Sequence, residues 1–113
     1  MQRVPRSIAP AQLTTAAVAY YTAGTGVTAT INNLSVTNTS ASPVAVTLYN
    51  VPPAGSPGAG NAFMSAFSLA AGQTFVPPAA IGLQLLSGGT LQALAATNAV
   101  ITIMGGVYET SGS

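Results

Sequence analysis

The sequence predicts an all-β protein, a single antiparallel, jelly-roll-like β-sandwich of seven to eight strands. Several short segments alternate apolar and polar residues, the period of a strand with one buried face. Turn residues recur about every ten positions, a spacing typical of sandwiches and barrels. The 12 glycines and eight prolines, together with abundant threonine and valine, disfavour long helices.

The chain divides into an N-terminal arm at residues 1–12, a sandwich domain at residues 13–110 and a short tail at residues 111–113. Its length of 113 residues suits one domain. Pro5 and Pro10 exclude a stable helix near the N-terminus and favour extended backbone there. The alternative for this segment is a frayed terminus.

The first half of the sandwich begins with a strand at residues 13–22. Residues 27–50 are predicted to form a β-hairpin, with turn chemistry at residues 39–43. Within its first strand the apolar residues move from odd to even positions. One extra residue at Asn32 or Asn33 would reverse the inward face, so the sequence predicts a β-bulge there.

The second half contains a Pro- and Gly-rich stretch at residues 51–62, which is either a functional loop or a crossover between two sheets. Residues 81–86 fit a short strand or a helical turn equally well. Gly105 and Gly106 are expected to kink the last strand before Val107. The remaining strands are predicted at residues 63–69, 74–76, 90–95 and 99–104.

Charged side chains are almost absent. Two arginines and one glutamate (Arg3, Arg6 and Glu109) carry all the formal side-chain charge, and no histidine or cysteine occurs. Hydrolysis by paired carboxylates needs two acids, and a catalytic triad needs a base beside its nucleophile. Transition-metal sites need clustered imidazole, thiolate or carboxylate groups. The sequence therefore predicts a protein that is not an enzyme and that holds no metal or cofactor.

Nucleic acid and membrane are also disfavoured as partners. Two arginines do not form the basic patch that binding to phosphates requires. The mean hydropathy is +0.52, but no apolar run reaches the ~18 residues of a membrane-spanning helix. The N-terminal residues lack the apolar segment of a signal peptide.

Five phrases of the sequence carry a resemblance to a family. They are Tyr21-Thr22-Ala23, Leu34 to Pro52, Ser68 to Phe75, Gly88 to Ala95 and Ala99 to Thr110. In this order they resemble a family of small bacteriophage virion structural proteins, which includes head decoration or cement proteins and neck or tail accessory subunits. The resemblance implies a fold and a structural role, and it transfers no site residues. The near absence of charged residues from the turns departs from the family pattern.

The expected function is that of a capsid decoration or cement protein, found in the virion after assembly in the host cytoplasm. Its partners would be the major capsid protein or other virion subunits. A net charge of +1 leaves little repulsion between copies, so we expect a symmetric homo-oligomer such as a trimer. Alternatives are a neck, tail or fibre-attachment subunit, or a carbohydrate-binding module. The module would use the four tyrosines, Tyr20, Tyr21, Tyr49 and Tyr108.

The candidate partner-contact residues lie in two places. The arm would lie along a neighbouring subunit, where its two arginines would meet acidic groups. The rigid, proline-rich stretch at residues 51–62 would lose little entropy on binding. The candidates are Arg3, Arg6, Pro52, Pro53 and Pro57.

Overall fold

The structure is a computed structural model that describes residues 3–111. The predicted all-β class is confirmed: the described residues form two antiparallel sheets and no α-helix. Two one-turn 3₁₀ helices lie at Ala59–Asn61 and Pro78–Ala80. The strands are β1 (Arg3–Gln12), β2 (Val18–Thr22), β3 (Val27–Asn38), β4 (Val44–Val51), β5 (Ala62–Leu69), β6 (Thr74–Phe75), β7 (Gln84–Leu85), β8 (Thr90–Ala95) and β9 (Ile101–Ser111).

The strands are divided between two layers. Sheet 1 has the order β1-β9-β3, and β6 and β7 both pair with the far side of β3. β7 pairs at Ala29 and Thr30, whereas β6 pairs at Val36 and Thr37. Sheet 2 has the order β2-β8-β4-β5. All of the pairings are antiparallel.

One hydrophobic core fills the space between the sheets. Alternate residues are buried along β3, β4 and β8, as the alternation in the sequence predicts. The largest contributors are fully enclosed: Ile8, Leu13, Ile31, Leu34, Leu48, Leu69, Leu85, Leu91, Ile101 and Ile103.

The N-terminal segment belongs to the sandwich. Residues 3–12 have the predicted extended backbone, but they form β1, the edge strand of sheet 1, and do not leave the domain as an arm. Proline is tolerated here because an edge strand has one unpaired side, and Pro10 lies within a register shift between Ile8 and Ala11. Ile8 is 1% exposed, so this strand contributes to the core.

The predicted bulge in β3 is confirmed. The register with β9 shifts between Ile31 and Asn33, and Asn32 is the extra residue. β9 runs through the two glycines without interruption and ends at Ser111. Gly105 lies directly against the bulge: a Cβ at this position would overlap the main-chain oxygen of Asn33.

The predicted hairpin at residues 27–50 is wrong, although both of its strands exist. β3 lies in sheet 1 and β4 in sheet 2, and the two strands do not pair with each other. Residues 39–43 form an arch between the layers. The fully buried Asn38 holds this arch: its Nδ2 donates to the oxygens of Ser42 (2.8 Å) and Leu69 (3.0 Å), and its Oδ1 accepts from the Ser40 amide (2.9 Å).

Three other segments resolve or correct the sequence predictions. Residues 51–62 are not a crossover, because they join β4 and β5, which pair within sheet 2. Residues 81–86 contain the short strand β7. The strand expected at residues 13–22 begins only at Val18. Leu13 still bonds to the oxygen of Ile101 on the sheet 1 side, and the chain then crosses to sheet 2.

Candidate functional site

The connections between strands collect at two ends of the sandwich. One end, called here the termini end, contains residue 3, residue 111 and the loops at residues 23–26, 52–61 and 86–89. Hydrogen bonds lock two of these loops together. The Gly26 amide donates to Ser87 Oγ (2.8 Å), and Ala23 exchanges main-chain bonds of 2.9 Å with Gly88 and Gly89.

The termini end contains an ion pair. Arg6 Nε on β1 donates to Glu109 Oε1 on β9 at 3.3 Å. The hydroxyl of Tyr21 on β2 donates to Glu109 Oε2. The Arg6 side chain is 61% exposed and that of Glu109 20%. The cluster therefore joins both terminal strands to the edge of sheet 2.

Two tyrosines at this edge have perturbed acidity. Burial raises the pKa of Tyr21 strongly, and the hydrogen bond and negative charge of Glu109 raise it further, against the opposing effect of Arg6. Burial also raises the pKa of Tyr20. A backbone hydrogen bond from Thr14 lowers this pKa and partly offsets the effect of burial.

The sequence-predicted contact residues are not brought together. Arg6 is engaged within its own chain, and binding to an acidic partner would have to compete with Glu109. Arg3 pairs through its backbone with Thr110, and its side chain lies outside the described atoms. The proline-rich loop follows β4. In sheet 2, β8 lies between β4 and β2, the edge strand that contacts the ion pair, so the loop and the ion pair are apart.

The proline-rich loop is held by its own hydrogen bonds. Pro52 and Pro53 are exposed and Pro57 is half-buried. The Gly55 amide donates to the oxygen of Pro52 at 2.9 Å, closing a tight turn. Asn61 Oδ1 accepts from the Gly58 amide (3.1 Å), and its Nδ2 donates to the oxygen of Ser56 (2.9 Å). These bonds hold the loop in place in the absence of a partner.

Beside this loop a groove of about 460 Å³ opens between the two sheets, called here the end groove. Sequence reasoning missed it because its walls come from β4, β5, β7 and three connecting segments, and only the tertiary fold brings these together. Across it, Asn50 Nδ2 of sheet 2 donates to the main-chain oxygen of Gln84 on sheet 1 at 3.3 Å. The lining residues are Asn50, Pro52, Gly60, Asn61, Ala62, Phe63, Leu83, Gln84 and Leu86.

Among the described residues, four of the seven exposed large hydrophobic side chains lie on or next to β5, β6 and β7, and the other three, Val4, Val18 and Met104, lie on β1, β2 and β9. The first four are at least 36% exposed: Phe67, Val76, Ile81 and Leu86. The rings of Phe67 on β5 and Phe75 on β6 stack with centroids 4.4 Å apart and so join the edges of the two sheets.

The outer faces of the two sheets are called here the neutral faces. They carry hydroxyl, amide and apolar side chains. In the described part of the chain, none of their half-buried residues has a charged side chain. On sheet 1 they include Thr28, Thr30, Ser35, Thr37, Thr102 and Tyr108. On sheet 2 they include Ala45, Thr47, Tyr49, Gln92 and Leu94.

The four tyrosines do not form one binding platform. Tyr49 and Tyr108 lie on opposite neutral faces. Tyr21 contacts Glu109 between the sheets, and the Tyr20 hydroxyl lies 3.5 Å from the oxygen of Gln12 at the β1 edge.

Comparisons with known proteins give no relative: no family model, no curated protein and no solved structure matches this chain. Among residues 3–111, no helix has the length and apolar character to cross a bilayer.

Proposed function

We propose that this protein is a structural subunit of a bacteriophage virion, a decoration or cement protein that binds the head shell as a homo-oligomer. The observation that carries the proposal is the pair of neutral faces on a two-layered, folded body. Binding would rest on apolar contacts and neutral hydrogen bonds with the major capsid protein or other virion subunits.

The physical argument concerns desolvation. A soluble domain carries about 25% charged residues, whereas this chain carries 3%. Docking of an ionised side chain removes its hydration at a large free-energy cost, and neutral hydroxyls and amides avoid that cost. Each neutral hydrogen bond contributes only about 1 kcal/mol net, so repeated contacts on a symmetric particle must supply the affinity.

We also propose that the sandwich is a jelly roll. Supporting this, the strands pair as nested antiparallel couples, β1 with β9, β2 with β8, β3 with β6 and β7, and β4 with β5. If β6 and β7 are counted as one interrupted strand, eight strands form two four-stranded sheets. Jelly rolls build viral capsid domains and also lectins, so the topology supports the role without deciding it.

A neck, tail or fibre-attachment subunit is the alternative within the same class. A quantitative mass-spectrometric inventory of purified virions whose genome encodes the chain separates the two. On the order of hundreds of copies per particle supports the head shell, and about a dozen or fewer supports the neck or tail. Absence from the particle would overturn the proposal.

A binding experiment locates the contacting face. Purified variants are added to particles that lack the protein, and occupancy is measured after sedimentation. Leu94→Glu places a carboxylate on the neutral face of sheet 2, and Thr102→Glu places one on that of sheet 1. Thr97→Glu, in an exposed turn, is the matched control. One face variant should lose occupancy while the control keeps it.

A further inference from the structure

We propose that the end groove is a binding site for a neutral saccharide. Its volume of about 460 Å³ lies within the range of small-molecule sites. It opens where the two sheets separate at the termini end, beside a loop that its own hydrogen bonds hold in place.

One part of the groove is apolar. Phe63, Leu83 and Leu86 line it together with Pro52. Leu86 is 58% exposed, so it offers apolar surface that no described residue covers. The C–H groups of a sugar ring pack on aromatic and aliphatic surfaces of this kind, which leaves the ring hydroxyls free for polar contacts.

Two carboxamides supply those polar contacts. The bond from Asn50 Nδ2 to the Gln84 oxygen fixes the Asn50 amide at the junction of the sheets. The Gln84 side chain is exposed and makes no hydrogen bond with any residue that the structure describes. A carboxamide both donates and accepts, as a hydroxyl group does, so the two groups are complementary. The Asn61 amide is already engaged with Gly58 and Ser56 and only shapes the rim.

The charge of the site selects among ligands. No lining residue is ionisable. A phosphate, carboxylate or amine would lose its hydration in the groove without meeting a counter-charge. An uncharged polyol gives up hydrogen bonds with water and gains hydrogen bonds with the amides. The free energies of these two sets of bonds nearly balance.

A peptide is a poorer fit than a saccharide. Recognition of an extended peptide by strand addition needs a run of free main-chain groups at a sheet edge. Of the three strands that border the groove, β4 is paired on both sides, and β5 reaches the groove only with its first two residues. The third strand, β7, has only two residues, and one of its main-chain oxygens already accepts from Asn50. This inference does not depend on the virion role and is tested separately from it.

The experiment is an NMR titration of the ¹⁵N-labelled full chain with glucose, galactose, mannose, N-acetylglucosamine and their common disaccharides. For at least one sugar we expect saturable shifts of the Asn50 and Gln84 side-chain amides and of the Leu86 main-chain amide, with a dissociation constant of about 1 mM. Gln84→Ala should weaken binding about tenfold by loss of a hydrogen-bonding side chain. Gln12→Ala, an exposed glutamine on the far edge strand β1, should bind like the parent chain.

Three results would overturn the inference: no saturable shift with any of these sugars, shifts confined to residues outside the groove, or equal affinity in Gln84→Ala and the parent chain. A peptide that shifts the groove residues while the sugars do not would count against it equally. The presence or absence of the protein in virions affects none of these outcomes.

Discussion

Gly105 is required by the close approach of two strands. A Cβ at this position would overlap the Asn33 oxygen and lie 2.9 Å from the Leu34 Cα, both of which belong to the backbone of the β3 bulge. Neighbouring Gly106 is less restricted, since a Cβ there would meet only the Arg6 oxygen at 3.4 Å.

We therefore expect Gly105→Ala to lower the free energy of unfolding by about 3 kcal/mol, because backbone must move to make room. Gly106→Ala, one residue away in the same strand, should change it by less than about 1 kcal/mol. Urea unfolding followed by circular dichroism measures both values. Equal effects of the two substitutions would show that the bulge does not pack as described.

Asn38 is the polar residue on which the arch between β3 and β4 depends. It is fully buried, and its amide satisfies the oxygens of Ser42 and Leu69. Asn38→Ala should lower the unfolding free energy by about 2–4 kcal/mol, because two carbonyl groups lose their donors. Asn98→Ala, in an exposed turn, is the control and should lie within about 0.5 kcal/mol of the parent chain. A loss below about 1 kcal/mol in Asn38→Ala would contradict this role.

At the scale of elements, β1 is a structural strand. Removal of residues 1–12 takes away the buried Ile8 and leaves the β1-facing edge of β9 unpaired, while its other edge stays paired with β3. We expect the truncated chain to lose its cooperative unfolding transition, since a core side chain and a strand ladder disappear together. The test compares thermal unfolding of the truncated and full chains. A truncated chain that melts like the parent would restore the interpretation of this segment as a separate arm.

The Arg6–Glu109–Tyr21 cluster ties three strands and gives stability a defined pH dependence. Tyrosine ionises by losing a proton, and the folded Tyr21 keeps its proton at pH values where the unfolded chain has lost it. The contribution of Tyr21 to the free energy of unfolding is therefore complete below the ordinary tyrosine pKa of about 10. It falls as the pH rises above that value.

We expect the unfolding free energy to be flat from about pH 5 to 9 and to decrease above about pH 10. Tyr21→Phe should reduce that decrease because the shifted group is gone. Glu109→Gln should also reduce it, because it removes the negative charge that raises the pKa of Tyr21. Urea titrations across this range measure the slope. An unchanged alkaline slope in Tyr21→Phe would refute the assignment.

The sequence was most informative about elements whose signal is local. The apolar alternation located β8 at residues 90–95, and the change of phase located the bulge at Asn32. Alternation identifies a strand but not its partner, so β3 and β4 were wrongly paired. Their separation into two sheets depends on β9 and β8, which lie far along the chain.

The sites could not be predicted for the same physical reason. Arg6 and Glu109 are 103 residues apart in sequence, and their contact exists only because β1 and β9 pair. The end groove joins residues of both sheets, and Asn50 and Gln84 carry no local signal that relates them. The scarcity of charged side chains, in contrast, is a property of the amino-acid composition and needs no structure to establish.

On the scale of the whole molecule, the central claim is that the neutral faces are association surfaces. Contacts without charges are nearly independent of ionic strength, whereas exposed ion pairs weaken as salt screens them. A protein with a net charge of +1 also has little repulsion to hold its copies apart.

Sedimentation velocity of the purified chain at NaCl concentrations from about 0.05 to 1 M tests this claim most directly. We predict one discrete symmetric oligomer whose size is the same at every salt concentration, and which Leu94→Glu or Thr102→Glu dissociates. A monomer at every concentration and salt level, or an oligomer that dissociates as salt is added, would contradict it.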